Sequence, residues 1–186
     1  SAENEIEVNP GTYEENLLIE SDMIIQSTGD ASNTIIDGGL GNGFGSTVVI
    51  RPESGSSNKP AVEMNGFGIK NGKGTSMENK TITLPDGNHP IEKVGGGMLI
   101  YVNTPKINNC KFLNNGNHLT EKGGAIFAVS DKEDSDFSTR DGYVDADDLT
   151  PVEDDLDLSS NVFLENNAIE GHTIYVQGFA ESIVDL

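Results

Sequence analysis

The sequence predicts an all-β chain: a right-handed parallel β-helix, built as a single solenoid over residues 1–186 with two loop insertions. Three observations predict it. Short apolar triplets such as Leu17-Leu18-Ile19 and Val48-Val49-Ile50 recur between Gly, Asn, Asp and Ser residues, the punctuation of strands and turns. Their close spacing leaves no room for the crossover helices of a doubly wound sheet. An internal repeat runs through the second half of the chain.

The first strands are read at Glu5-Ile6-Glu7-Val8, at Pro10-Gly11-Thr12-Tyr13, at Asn16-Leu17-Leu18-Ile19, at Met23-Ile24-Ile25-Gln26 and at Thr34-Ile35-Ile36-Asp37-Gly38-Gly39. The repeat opens as Met64-x-x-Phe67-x-Ile69-Lys70-Asn71-Gly72, and an insertion near residues 73–94 postpones its glycine pair to Gly96-Gly97-Met98. It returns as Ile107-x-x-Cys110-x-Phe112-Leu113-Asn114-Asn115, followed by Gly123-Gly124-Ala125. After a second insertion near residues 131–157 comes Leu158-x-x-Asn161-x-Phe163-Leu164-Glu165-Asn166, followed by Gly171-His172-Thr173. One apolar side chain at the same place in each repeat lets successive coils stack on a continuous core. Glycine and asparagine are expected at the corners, where left-handed backbone is needed. Asn114, Asn115, Asn166 and Asn167 are expected to form stacked amide ladders.

Composition removes several function classes. The net charge is −20, from 31 acidic and 11 basic residues, so phosphate backbones and anionic lipid surfaces are repelled and nucleic-acid binding is excluded. The longest apolar run, Met98 to Val102, is far short of the about 20 residues of a membrane-spanning helix, so no membrane span is expected. Cys110 is the single cysteine, which rules out an intrachain disulfide and thiolate zinc clusters.

The opening Val8-Asn9-Pro10-Gly11-Thr12-Tyr13, with Thr34-Ile35-Ile36-Asp37-Gly38 about a coil later, resembles the start of pectin-lyase-like β-helices, including pectin methylesterases. The later repeats resemble those of polymorphic outer-membrane proteins, with their F-x-x-N and G-G-A-I patterns at Phe112 to Asn115, Phe163 to Asn166 and Gly123 to Ile126. The resemblance implies the fold but not an activity, because the same coil serves lyases, esterases, hydrolases, adhesins and passive stalks. The D-F-I-F-G and G-R-P-W-like segments of the methylesterases are absent. Pectate lyases bind calcium and use an arginine as base, which singles out Arg51 and Arg140. Arg51 follows a strand and by period two points outward as a solvated or salt-bridged side chain, while Arg140 compensates local charge.

The acidic insertion carries the one metal argument. Residues 131–157 hold 12 acidic and two basic residues, and calcium is their natural counterion. Asp141-Gly142-Tyr143-Val144-Asp145-Ala146-Asp147-Asp148 resembles the second half of an EF-hand or dockerin loop. Phe137 and Thr139 occupy its first and third ligand positions, so Asp134 and Asp136 join Asp141, Asp145 and Asp148 as the candidate calcium ligands. His89, His118 and His172 read as surface or turn residues, Cys110 as a buried thiol, and Gly95-Gly96-Gly97 as a coil turn.

The function expected is that of a noncatalytic secreted or cell-surface protein with a structural or adhesive role, self-assembling end to end into filaments. Uncovered end coils would invite such association. They also fit a fragment of a longer protein or ends capped by neighbours. The alternative is a carbohydrate-active enzyme of the polysaccharide lyase or esterase type, or a fragment of one. Other surface proteins and glycans are the further partners expected.

Overall fold

The computed structural model describes residues 4–39, 45–79, 82–130, 137–139, 155–179 and 182–183. Every regular element among them is a β-strand. Strands β1 (Glu5–Val8), β2 (Gly11–Tyr13) and β3 (Leu17–Ile19) make a first circuit, and β4 (Met23–Ser27), β5 (Thr34–Asp37) and β6 (Val48–Ile50) a second. The third is β7 (Val62–Asn65), β8 (Gly68–Lys70) and, after the pair β9 (Thr75–Asn79) and β10 (Ile91–Val94), β11 (Met98–Tyr101). A fourth follows as β12 (Lys106–Asn108), β13 (Lys111–Leu113) and β14 (Ile126–Val129). After β15 (Phe137–Thr139) come β16 (Leu156–Asp157), β17 (Val162–Leu164), β18 (Ile174–Gln177) and β19 (Ser182–Ile183).

Each circuit gives one strand to each of three parallel sheets. Sheet 1 has the order β1-β4-β7-β12, sheet 2 the order β2-β5-β8-β13-β17, and sheet 3 the order β3-β6-β11-β14-β18. The short parallel pair β16-β19 takes the place of sheet 1 in the cycle after β14 and β18. Register follows the repeat. Phe112 lies between Ile69 and Phe163, and Ile107 lies beside Met64. The inward side chains of all three sheets, among them Ile50, Met64, Ile69, Ile100, Ile107 and Phe112, form one continuous core.

The glycine register is corrected by one residue. Met98 pairs with Ile126 and Ile126 with Ile174, so Gly95 and Gly96 stack on Gly123 and Gly124, and Gly97 faces Ala125. Gly95, Gly123 and Gly171 share a left-handed backbone, with φ of 62°, 64° and 55°, and that shared turn sets the alignment. At the preceding corner, Asn71, Asn114 and Glu165 take φ of 61°, 53° and 55°. The amide ladder therefore falls to Asn115 and Asn166, not to all four asparagines. Asn115 Nδ2 donates to Ile69 O (2.8 Å) and to Asn166 Oδ1 (3.1 Å), Gly72 N–H donates to Asn115 Oδ1, and Asn166 Nδ2 donates to Phe112 O. Asn115→Ala is expected to cost about 1–3 kcal/mol, because it strands two backbone groups of the third circuit, Ile69 O and Gly72 N–H, and urea denaturation would measure it.

The insertions are not merely surface loops. β9 and β10 form an antiparallel pair, and β15 from the second insertion joins the free edge of β9, giving a sheet in the order β10-β9-β15. Met77 and Val94 of this unit pack with Val49, Leu99, Tyr101 and Phe127 of sheet 3 into a second apolar cluster. The central strands of sheet 3 are thus buried on both faces, which is why β11 and β14 read as unbroken apolar runs rather than alternating ones.

Candidate functional site

The five candidate calcium ligands, Asp134, Asp136, Asp141, Asp145 and Asp148, and Arg140 lie outside the described residues. Phe137 and Thr139, which the loop resemblance puts at ligand positions, lie in β15 and pair with Asn79 and Met77. Among the described residues no group of three or more His, Cys, Asp or Glu is placed to hold a metal ion, and no helix is long and apolar enough to cross a membrane.

Arg51 is the salt-bridged side chain of the sequence reading, but it is buried rather than solvated. It is buried, 6% exposed, and its Nε donates to Glu20 Oε1 at 3.0 Å. The register pairs Ile19 with Ile50 and Ile100 with Ile50, so Arg51 sits one rung from Glu20 and one from Tyr101. The ion pair engages the guanidinium and so works against a role as base. Cys110 is a core thiol on the row of Phe67, and burial pushes it up to about 11. His118 and His172 are exposed, His89 Nδ1 lies 2.8 Å from Ile82 O, and His172 Nδ1 lies 3.2 Å from Asn167 Oδ1.

Three concave places stand out among the described residues. On the outer face of sheet 2, a small groove of about 120 Å³ lies between Ile35, Gly68, Lys70, Lys111 and Leu113. Lys70 Nζ is held there by Asp37 at 3.1 Å. Burial alone would raise the Asp37 carboxyl, but the Asn71 amide, the Gly39 N–H and Lys70 outweigh it and hold the group below the ordinary aspartate value. The lowered value means that Asp37 stabilises the fold above the ordinary aspartate range, about pH 4, and that this contribution is lost as pH falls through the lowered value. The stability gap between the wild type and Asp37→Asn is therefore expected to shrink from pH 7 to pH 3 in urea titrations. A constant gap would contradict it.

The second place, about 350 Å³, is a polar corner lined by Glu20, Asp22, Glu53 and Asn58, where Asp22 Oδ1 already accepts the Ala61 N–H. The third, about 330 Å³, lies against the first circuit and has a mainly apolar lining of Ile6, Val8, Leu17, Met23 and Ile25, with Tyr13 and Glu15 at its wall. Strands β1, β2 and β3 are each the terminal strand of their sheet, so three backbone edges frame this opening. Ile6 and Leu18 are 44% and 39% exposed there, and Glu5, Glu7, Glu14 and Glu15 are exposed around it.

Charge is partitioned along the sequence. Residues 1–50 hold nine acidic and no basic residues, and residues 141–186 hold twelve acidic and none basic. All 11 basic residues lie in 51–140, beside ten acidic ones. Residues 51–140 are close to neutral, and the net charge of −20 resides in residues 1–50 and 141–186. No protein-family model, no curated protein and no solved structure matches the chain.

Proposed function

We propose that the stacked circuits form a right-handed parallel β-helix of the pectin-lyase-like kind, and that the chain is a noncatalytic, secreted or cell-surface module with a structural or adhesive role. The observation that carries this reading is the unbroken register of sheet 2, in which five strands stack rung on rung over one continuous core. Such a stack resists bending and suits a spacer that holds other groups apart. The engagement of Arg51 by Glu20 also favours this reading over a lyase, since it occupies the side chain that such chemistry would recruit.

Other surface proteins or glycans would meet the outer faces, and calcium would serve as counterion to the acidic stretches. End-to-end self-assembly carries a condition, because it would bring two acidic ends together. Filaments are expected only with calcium or at high salt, and electron microscopy across those conditions tests this. Incubation with pectin and alginate in calcium tests the noncatalytic claim. Reproducible release of unsaturated products or methanol would overturn it in favour of a carbohydrate-active enzyme.

A further inference from the structure

We infer that the outer face of sheet 2 is a docking surface for an acidic protein segment, which seats an apolar side chain in the groove at Gly68 and sets a carboxylate against Lys111. The inference rests on the reading that partner proteins meet an outer face, and it names the face and the chemistry. The three sheets differ in what they turn outward. Sheet 3 is covered by the β10-β9-β15 unit through Met77 and Val94. Sheet 1 turns out polar side chains, with Gln26, Asn65 and Asn108 in one row and Glu63 beside Lys106 in another. Sheet 2 turns out Ile35, Leu113, Val162 and Leu164, which alternate with inward core residues, and the last two are exposed. Apolar rows left open in this way mark contact surfaces. This is a side face, so stacking of chains end to end leaves it open.

Within the face, Gly68 stands in its row between Ile35 on one strand and Lys111 on the next. A Cβ there would meet Ala31 O at 2.6 Å and Ile35 Cγ1 at 3.2 Å, so the position stays bare and the groove of about 120 Å³ lies over it. Glycine inside a strand marks a place where another chain or a ligand can come close. The charged side chains lining the groove are both lysines. Lys70 is held by Asp37 at 3.1 Å. Lys111 has uncharged neighbours in register on both sides, Gly68 and Val162, and no ion pair joins it to a described residue. A carboxylate beside Lys111 is therefore favoured, and a basic segment would set like charges against both lysines. The occupant that fits carries an apolar side chain and an acidic one on the same side of an extended chain.

Amide NMR titration of the full chain with short serine-based peptides tests the inference. The first peptide carries leucine and aspartate two residues apart, so that both point the same way when extended. It is expected to shift the amides of Ile35, Gly68, Lys111 and Leu113, and to bind at least about fivefold more tightly than peptides with serine for leucine or lysine for aspartate. Lys111→Glu should reverse the preference, favouring the lysine peptide, while keeping the β-sheet circular dichroism of the wild type. Leu113→Ser should weaken both peptides. Shifts centred on sheet 1, equal binding of the leucine and serine peptides, or an unchanged preference in Lys111→Glu would overturn the site. Dimers that form without peptide and are lost in Leu113→Ser would make a second copy the occupant and overturn it as well. The noncatalytic reading fails by a different measurement, turnover of pectin or alginate, so the two failures are distinguishable.

Discussion

Phe112→Ala is expected to cost about 3–5 kcal/mol of stability, the range for deleting a fully buried aromatic side chain. Phe112 is 0% exposed, pairs in register with Ile69 on one side and Phe163 on the other, and stacks on the Phe163 ring with centroids 5.2 Å apart and planes 15° from parallel. Neighbouring circuits cannot close the gap, because each backbone rung is fixed by the hydrogen bonds of the rungs beside it. Phe163, only partly buried on the last full circuit, should cost less when truncated. Urea denaturation measures both. A cost below about 1 kcal/mol for Phe112 would contradict the continuous core.

Gly124→Ala is expected to destabilise by about 3 kcal/mol although it adds a single methyl group, at the upper end of overpacking costs. A Cβ at this position would fall on the His172 carbonyl oxygen, well inside van der Waals contact, and within 2.6 Å of Asn167 N. All of these are backbone atoms of the next circuit, so relief requires moving the rung. Gly96 has the same constraint one circuit earlier, against the Gly124 carbonyl and Gly116 N. His172 occupies the equivalent place on the last of these rungs and is exposed, so His172→Ala should change stability by no more than about 0.5 kcal/mol. The contrast between two alanines at aligned positions is read from thermal midpoints. Equal effects would mean that the glycines do not stack.

The strands and the register of the Phe and Ile rows were legible because each repeat carries its apolar residues at fixed offsets from an asparagine corner. The glycine alignment slipped because three consecutive glycines, Gly95 to Gly97, fit either register, and only the left-handed turn at Gly95 decides between them. The burial of Arg51 was legible in principle, since Leu17-Leu18-Ile19-Glu20 aligns with Val48-Val49-Ile50-Arg51 and pairs an acid with a base on adjacent rungs. The run Met98 to Val102 likewise signalled a sheet buried on both faces, but what covers it came from insertions whose strands carry no repeat to betray their pairing. The acidic surround of the first circuit, at Glu5, Glu7, Glu14 and Glu15, was not foreseen, because a net charge summed over the whole chain hides where the charge lies.

The rung order itself is open to direct measurement. Thr12, Ile35, Gly68, Lys111 and Val162 form one outward row across sheet 2, one residue per circuit. Thr12 and Val162 are both exposed and stand four strand spacings apart, a backbone separation of about 19 Å. Spin labels at these two positions in a Cys110→Ala background should give a single narrow distance distribution around that value, widened by the label linkers, in pulsed electron resonance. Labels at Ile35 and Val162 should give one about 5 Å shorter. A broad distribution, or the same distance for both pairs, would contradict the stacked circuits on which the whole account rests.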